Sequence, residues 1–274
     1  MKLIELCSML EIQNEVQEKL IEFEKEIDFN AIKQVTEQMK HKETWESGLE
    51  DLKNILSPDE DGLKILTCQL HCVCDVYDEY LKLGISKNIF IDTMKFFPRF
   101  LQDYKDRNGS YRYVWSWWAV RQISMVEYRI GVLEYEMRVE NDKHLIDIHI
   151  PADADMEISN LRKSYKEALK FFEKYYPDFS GADMVCSSWL LAPSLKNVLP
   201  DKSRILEFQK AFDIQAMDED SLGFMDWVYG SREIPLEELP EHTSLQRRLK
   251  PYLRNNGKIE WTTGRLVSDP FCES

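Results

Sequence analysis

The chain has 274 residues, which exceeds the usual size of a single hydrophobic core and predicts two domains. Its hydrophobic content of 43% is enough for packed cores, whereas its formal net charge of −14 argues against nucleic-acid binding, which needs a basic surface. The N-terminus lacks a continuous apolar segment and the six cysteines form no CxxC pair, so we expect a cytoplasmic protein without a membrane anchor or a disulfide framework.

The first 106 residues read as helices throughout. Apolar side chains recur at helical spacing in segments of about 3–26, 31–39, 45–56, 57–83 and 86–104. The clearest start signal is the sequence SPDE, in which Ser57 is the predicted N-cap and Glu60 completes a capping box. Gly84 suits the end of that helix, Ser86 caps the next one, and Pro98 is expected to kink it.

The second half alternates between strands and helices. The polar sequence at 106–110 is the predicted linker, which gives domains at 1–110 and 111–274. Segment 113–122 reads as a short helix or as the entry to a sheet. Period-two alternation and short apolar runs then predict strands at 125–138, 144–150, 184–191, 222–229 and 258–266, with helices at about 161–175, 203–212 and 243–254.

The strand–helix–strand over 144–191 is the most informative part of the sequence. A crossover helix of this length predicts a parallel strand pair, and such units bind ligands at the carboxyl ends of their strands. We expect those ends to diverge. The predicted fold class is α+β as a whole and α/β in its second half, with an all-helical N-terminal domain followed by a mixed β-sheet with flanking helices.

These segments resemble the GNAT-like acyltransferases that pair a helical N-acyltransferase N-terminal domain with a GNAT-like C-terminal domain. The likeness in element order covers nearly the whole chain. The sequences that carry it are YRIGVLEYEM at 128–137, LIDIHIP at 145–151, FFEKYYP at 171–177, CSSWLLAPSL at 186–195, SRILEFQKAFDI at 203–214 and LPEHTSLQRRLK at 239–250. The resemblance implies transfer of an acyl group from acyl-CoA, a co-substrate rather than a tightly bound cofactor, to an unidentified small amine.

The candidate bases lie on two neighbouring predicted strands. His149 ends its strand beside Asp147 on the same face, and an imidazole with a carboxylate neighbour can take a proton from an ammonium group. Glu134 and Glu136 share a face of the preceding strand and are the alternative bases, acting through water. The structural alternatives are a hydrogen-bonded core histidine and solvated or paired glutamates.

Two further residues have chemistry that acyl transfer can use. Cys186 is a candidate nucleophile if His149 lowers its pKa, and Tyr229, predicted at a strand end, is a candidate proton donor to the leaving thiolate. A buried structural cysteine and a packed tyrosine are the alternatives. The resemblance implies that the pantetheine lies between strands 145–150 and 184–191, with coenzyme contacts from Ile148, Ile150, Pro151, Ser159, Arg162, Lys163, Ser187 and Ser188.

The loop at 151–159 departs from the family pattern, because it contains no glycine and carries three carboxylates. Asp153, Asp155 and Glu157 are expected to repel a pyrophosphate, whereas Arg162, Lys163 and Lys166 partly compensate. Two non-enzymatic alternatives therefore stay open: a ligand-binding or partner-binding module that has lost coenzyme affinity, and a helical partner-binding scaffold with an inert second domain.

Two side-chain clusters in the helical half have both functional and structural explanations. Four residues of types that bind metals share one helix face: Cys68, His71, Cys72 and Asp75. Four ligands rarely converge on a metal from a single helix, so no metal is predicted. A second packed face of the helix is the structural alternative. Three tryptophans follow the linker and line either an acyl-chain tunnel or, as we favour, the domain interface; they are Trp115, Trp117 and Trp118.

Overall fold

The computed structural model describes residues 1–267 and 270–271 and divides into two compact units, Met1–Ile130 and Gly131–Ser274. The predicted boundary at 110/111 falls earlier, just after a helix of the first unit. The first unit consists of helices followed by one short strand. Its elements are α1 (Leu3–Leu10), α2 (Asn14–Glu26), α3 (Lys33–Gln38), α4 (Trp45–Leu56), α5 (Leu63–Leu83), α6 (Lys87–Met94), α7 (Phe96–Asn108), α8 (Ser116–Ile123) and β1 (Glu127–Ile130).

Helix α5 is the centre of the first unit. It contacts six of the other helices, α1, α2, α3, α4, α6 and α8, and is buried along most of its length. This position explains its sequence, because apolar and small polar residues are needed on several faces of a surrounded helix. Gly84 ends α5 in a left-handed conformation (φ 71°) and Ser86 caps α6 through the amide of Ile89, as predicted. Among the helices that the structure describes, none is long and apolar enough to cross a membrane.

The start of α5 differs from the prediction, because Ser57 does not cap it. The helix begins at Leu63, and Asp59 accepts hydrogen bonds from the amides of Lys64 (3.1 Å) and Ile65 (3.0 Å). Asp61 accepts from the amide of Leu63 at 3.1 Å. The capping box predicted for Ser57 and Glu60 is therefore wrong, and the carboxylates of Asp59 and Asp61 satisfy the first-turn amides instead.

Two long predicted helices are each divided in the structure. The first ends at Leu10, because Glu11 takes a left-handed conformation (φ 59°), and a second helix starts at Asn14. The helix after Ser86 ends at Met94 and α7 starts at Phe96, so Pro98 lies in the first turn of α7 rather than at a mid-helix kink. Proline is tolerated there because the first-turn amides have no intrahelical acceptor.

The second unit contains, in its described residues, a mixed sheet and four α-helices. Its elements are β2 (Leu133–Glu140), β3 (Lys143–His149), α9 (Ile158–Tyr175), β4 (Asp183–Ser188), α10 (Arg204–Gln209), β5 (Phe212–Asp218), α11 (Gly223–Tyr229), α12 (Ser244–Arg254) and β6 (Trp261–Leu266), with short 3₁₀ helices at Pro177–Phe179, Trp189–Leu191, Pro193–Asn197 and Leu236–Glu238. The strands of this unit are ordered β2-β3-β4-β6-β5. The predicted fold class, a helical region followed by a mixed sheet with flanking helices, is confirmed.

The crossover and the turn of the hairpin match the prediction, whereas the single strand predicted at 125–138 is two strands, Glu127–Ile130 and Leu133–Glu140, separated at Gly131 (φ 65°). Strands β2 and β3 are antiparallel, and the turn between them places Asn141 (φ 49°) and Asp142 (φ 63°) in the left-handed region. Strands β3 and β4 are parallel and are connected through α9. Tyr135 of β2 lies within hydrogen-bonding distance of Ser164 of α9, with 3.0 Å between the two hydroxyl oxygens, so α9 covers that face of the sheet.

Three strand predictions after α9 need correction. The strand predicted at 184–191 ends at Ser188 and continues as a 3₁₀ helix, and the one predicted at 258–266 begins only at Trp261. The segment predicted as a strand at 222–229 is helix α11. Strand β5 lies earlier in the chain: it starts at Phe212, where the predicted helix 203–212 was expected to end, and continues to Asp218. Residues in β5 are mostly exposed, so they lack the apolar run that marks a buried strand.

Candidate active site

Strands β3 and β4 part at their carboxyl ends. Their last paired residues are Asp147 and Val185, although β3 continues to His149 and β4 continues to Ser188. Beyond this point β3 pairs with β2, and β4 pairs with β6. The two strands therefore leave a gap at the position where the sequence predicted a ligand site.

One face of the sheet at this gap is polar. In the antiparallel register Glu136 lies opposite Asp147, and Glu134 lies opposite His149. Because side chains alternate along a strand, all four point to the same face. Glu134, Glu136 and Asp147 are all buried. Carboxylates in protein interiors are usually paired with a cation or hydrogen-bonded.

His149 and Glu136 form a partly buried pair on this face. Nε2 of His149 lies 3.0 Å from Oε2 of Glu136, and the two side chains are 18% and 8% exposed. An ionised carboxylate only accepts hydrogen bonds, so Nε2 carries the hydrogen in this contact when Glu136 is ionised. In that tautomer of a neutral imidazole, the lone pair that a general base uses is on Nδ1.

Asp147 has a different partner from the one that the sequence suggested. Its Oδ2 accepts a hydrogen bond of 2.6 Å from Nη1 of Arg138, whose Nη2 contacts the exposed carboxylate of Glu140. The sequence placed Asp147 beside His149 as its carboxylate neighbour, but the structure gives that contact to Glu136. Glu136 lies opposite Asp147 in the register, so its side chain reaches His149 diagonally across the two strands.

Cys186 lies on the other face of the sheet. Asp147 is level with Val185 in the parallel pair, so the next residue along β4 points away from His149. Burial raises the pKa of the Cys186 thiol well above its ordinary value, which keeps the sulfur protonated at neutral pH. The condition set for a nucleophilic Cys186, a pKa lowered by His149, is therefore not met, and the environment matches the structural alternative.

Ser187 and Ser188 are neighbours in sequence but face opposite sides. Oγ of Ser187 accepts a hydrogen bond of 2.9 Å from Nε1 of Trp261 and lies 2.9 Å from Oγ1 of Thr263. Oγ of Ser188 accepts from the amide of Leu190 at 3.1 Å and caps the 3₁₀ helix that follows. Ser187 follows Val185 by two residues, so only Ser187 points to the same face of the sheet as Asp147 and His149.

The acidic loop before α9 is held by an arginine that the sequence analysis did not single out. Arg204, the first residue of α10, contacts Asp155 at 3.4 Å and forms a closer ion pair with Glu157. Asp155 also accepts from Nδ2 of Asn160 at 2.9 Å. Two of the three carboxylates that were expected to repel a pyrophosphate are thus paired with a cation.

The other predicted coenzyme contacts surround the gap and the start of α9. Ile148 and Pro151 are buried and Ile150 is half-buried, whereas Ser159 and Lys163 are exposed. Arg162 donates from Nε to the carbonyl of Phe271 at 2.8 Å, so its guanidinium is anchored against that backbone. Their roles in coenzyme binding stay predictions.

Tyr229 lies in helix α11, so the prediction that it ends a strand is wrong. Its ring belongs to an apolar cluster that includes Trp189, Phe224 and Leu249. Burial raises the pKa of Tyr229 to about 12, and its hydroxyl has no hydrogen-bond partner in the described part of the chain. This environment matches the packing alternative given for the residue.

The cysteine and histidine cluster in the helical unit has separate local partners. Asp75 pairs with Lys40 at 2.7 Å, His71 lies 3.0 Å from Glu24, and burial raises the thiol pKa of Cys68 and Cys72 to about 12. The packed-face alternative accounts for these contacts. Each cysteine in the described residues is a buried free thiol, and Cys272 lies outside them.

The tryptophans after α7 form a continuous aromatic group. The ring of Trp115 lies 4.7 Å from that of Phe100 and 5.6 Å from that of Trp117, which is 47% exposed. Trp118 is 5.4 Å from Trp117 and donates from Nε1 to Glu127 at 3.3 Å. Both hypotheses for this group, an acyl-chain tunnel and an interface, stay predictions.

Comparison with known families and structures agrees with this architecture. Residues 87–266 match the family model described as the GNAT-like C-terminal domain, and residues 1–125 match that of the N-acyltransferase N-terminal domain. No relative was found among the curated proteins.

Solved acyltransferase structures share the fold. One in complex with decanoyl-CoA is 21% identical with a TM-score of 0.67, covering 73% of this chain and 64% of its own length. One in complex with decanoyl-CoA and teicoplanin is 18% identical with a TM-score of 0.79, covering 96% of this chain and 86% of its own. An acyltransferase mutant in complex with octanoyl-CoA is 18% identical with a TM-score of 0.78 over the same shares, 96% and 86%. At these identities the likeness is one of fold.

Proposed function

This chain belongs to the family of proteins with a GNAT-like C-terminal domain, and from that membership we propose that it transfers an acyl group from acyl-CoA to an amine. The solved structures that share its fold were captured with decanoyl-CoA or octanoyl-CoA, which supports an acyl-CoA as the donor. The acceptor that we propose is a small molecule with a primary amine.

The partly buried pair of His149 and Glu136 is the observation that carries this proposal. It stands on the polar face next to the gap beyond Asp147 and Val185, where an acyl-CoA thioester would lie between the parted strands. A base oriented by a second group is the arrangement that activates a nucleophile in many transferases and hydrolases. Here the second group is a carboxylate held on the neighbouring strand.

The proposed reaction is a direct attack on the thioester. His149 takes a proton from the bound ammonium at Nδ1, and the resulting neutral amine attacks the thioester carbonyl carbon. A carbon–nitrogen bond forms and the carbon–sulfur bond breaks, so that coenzyme A leaves as a thiolate. The excess proton on the attacking nitrogen passes to that thiolate through water, which gives the neutral amide and the free thiol, and the imidazolium releases its proton to solvent. Backbone amides near residues 148–151 stabilise the oxyanion of the tetrahedral intermediate.

The non-enzymatic alternative rested on the acidic loop. The repulsion that this loop was expected to exert on the coenzyme pyrophosphate is reduced, because Arg204 pairs with Asp155 and Glu157. The negative charge at the start of α9 is therefore smaller than the sequence suggests. Ser159 and Lys163 then remain as exposed groups for the coenzyme phosphates, near the positive end of the α9 dipole.

The experiment that tests this function measures binding and turnover separately. Decanoyl-CoA is expected to raise the melting temperature, because a ligand that binds only the folded state stabilises it by mass action. Addition of a mixture of small primary amines should then release free coenzyme A and yield acylated amines detectable by mass spectrometry. A folded protein that shows no shift with saturating acyl-CoA would favour the binding-module alternative.

A further inference from the structure

One buried carboxylate oxygen at the polar face has no hydrogen-bond donor within the part of the chain that the structure describes. Oδ2 of Asp147 is held by Arg138, but Oδ1 is buried without a hydrogen-bond partner among the described residues. The residue as a whole is 3% exposed. An unsatisfied buried acceptor costs about 1–3 kcal/mol, and more when it is charged, so such an atom requires a partner beyond the described residues.

The sheet register explains why the oxygen is left without a donor. On the β2 side the residue opposite Asp147 is Glu136, another carboxylate, and on the β4 side it is Val185, which is apolar. Carboxylates directly opposite each other repel, so the pairing is unfavourable unless a cation intervenes. Arg138 supplies a cation to Oδ2 of Asp147 and shares its guanidinium with Glu140.

The polar face of β2 and β3 is rich in buried carboxylates. Glu134, Glu136 and Asp147 are buried there, and Arg138 and His149 contact Asp147 and Glu136 respectively. Such a cluster attracts a positively charged ligand and repels an anionic one.

We propose that Asp147 is the binding residue for the ammonium group of the acyl acceptor, and that Oδ1 receives an N–H of that group at the gap between β3 and β4. This inference rests on the proposed function and specifies its acceptor as a molecule that arrives as a cation. Asp147 recognises the ammonium, and His149 on the same face then removes one proton to generate the neutral nucleophile. The oxygen is shielded from bulk water, so its attraction to a cation is stronger than that of a surface carboxylate.

The first arm of the test uses the wild-type protein and no coenzyme. Butylammonium and 1-butanol have similar alkyl chains and differ in charge, so ligand-observed NMR titration at matched ionic strength reports whether the site selects a cation. We expect saturable binding of butylammonium and none of butanol. Equal binding of the two probes, or binding of neither, overturns the inference even if acyl-CoA binds normally.

The second arm compares two variants that each remove one carboxylate partner of Arg138. Asp147→Asn keeps the shape and an acceptor oxygen but loses the charge, whereas Glu140→Gln removes the exposed partner and leaves Oδ1 unchanged. With decanoyl-CoA as donor, we expect Asp147→Asn to raise KM for butylamine about ten- to hundredfold, the range for losing a hydrogen bond to a charged group. Turnover at saturating amine should change far less, and Glu140→Gln should leave KM near the wild-type value.

The outcomes separate this inference from the proposed function. If acyl-CoA does not raise the melting temperature of the wild-type protein, the proposed acyltransferase function is contradicted. The butylammonium titration would still test whether Asp147 binds a cation. An Asp147→Asn protein that keeps the wild-type KM, or a Glu140→Gln protein whose KM rises equally, contradicts the assignment. If Asp147→Asn does not fold, the wild-type comparison of butylammonium with butanol decides alone.

Discussion

The reactivity of the Cys186 thiol depends on its burial rather than on its neighbours in the sequence. The thiol lies on the face of β4 away from His149, and burial raises its pKa well above the ordinary value. A thiol that stays protonated is a weak nucleophile. Acyl transfer is therefore expected to proceed without an acyl-cysteine intermediate.

We predict that Cys186→Ala retains wild-type turnover and loses about 1 kcal/mol in the free energy of unfolding, as is usual for a modest core substitution. Peptide mapping after iodoacetamide treatment of the native protein should show Cys186 unmodified at pH 8. Rapid alkylation of Cys186 together with an inactive alanine variant would contradict this account.

At the scale of single residues, strand parity predicted which side chains share a face better than it predicted which side chains contact each other. His149, Glu136 and Glu134 follow from strand parity, and the structure places them on one face. The pairing of His149 with Glu136 instead of Asp147 was not predictable, because a cross-strand contact depends on the register of β2 against β3. The ion pair of Arg204 with Glu157 could not be predicted either, because the two residues lie far apart along the chain.

At the scale of elements, the start of α5 gives a direct test of the capping contacts. Asp59→Ala should lower the free energy of unfolding by about 1–2 kcal/mol, because it removes the acceptor for two first-turn amides. Ser57→Ala, the substitution that the sequence pattern would have singled out, should have little effect. Urea denaturation of both variants measures this, and a larger loss for Ser57→Ala would refute the assignment.

The loop before α9 gives a second test at this scale. Arg204→Gln should release Asp155 and Glu157 and weaken acyl-CoA binding by roughly up to fivefold, the range that an exposed ion pair contributes. The effect should shrink at high salt. Arg232→Gln is the matched control, because Arg232 pairs with Asp226 of α11 at 2.6 Å on the surface. Coenzyme affinity that is the same for both variants would contradict a role for Arg204.

The elements that the sequence missed share a physical cause. Strand β5 is mostly exposed, so its residues carry no buried apolar pattern, and segment 222–229 contains enough apolar residues to fit a strand or a helix. The helix–strand choice there was settled by packing into the cluster around Trp189 and Phe224. By contrast, α9 and the hairpin before it carried clear periodicity and turn residues, and both were predicted.

At the scale of the whole molecule, the order of a helical region and a mixed sheet was predictable from the sequence. The parallel crossover from β3 through α9 to β4 was the decisive unit, because its geometry follows from helix length and strand alternation alone. The boundary between compact units was less clear. The structure divides at Ile130 and Gly131, whereas the polar segment at 106–110 suggested a linker, since composition marks exposed loops and not the limits of packing.

The measurement that bears most directly on the central claim is amine-dependent release of coenzyme A by His149→Gln and Glu136→Gln. We expect the first variant to lose turnover on the order of a hundredfold or more, as for loss of a general base, and the second to lose about tenfold because its partner is no longer oriented. Both should keep the melting-temperature shift caused by acyl-CoA. Full turnover of His149→Gln between pH of about 6 and 9, the range in which an imidazole base titrates, would contradict the account and leave His149 as a structural residue at the end of β3.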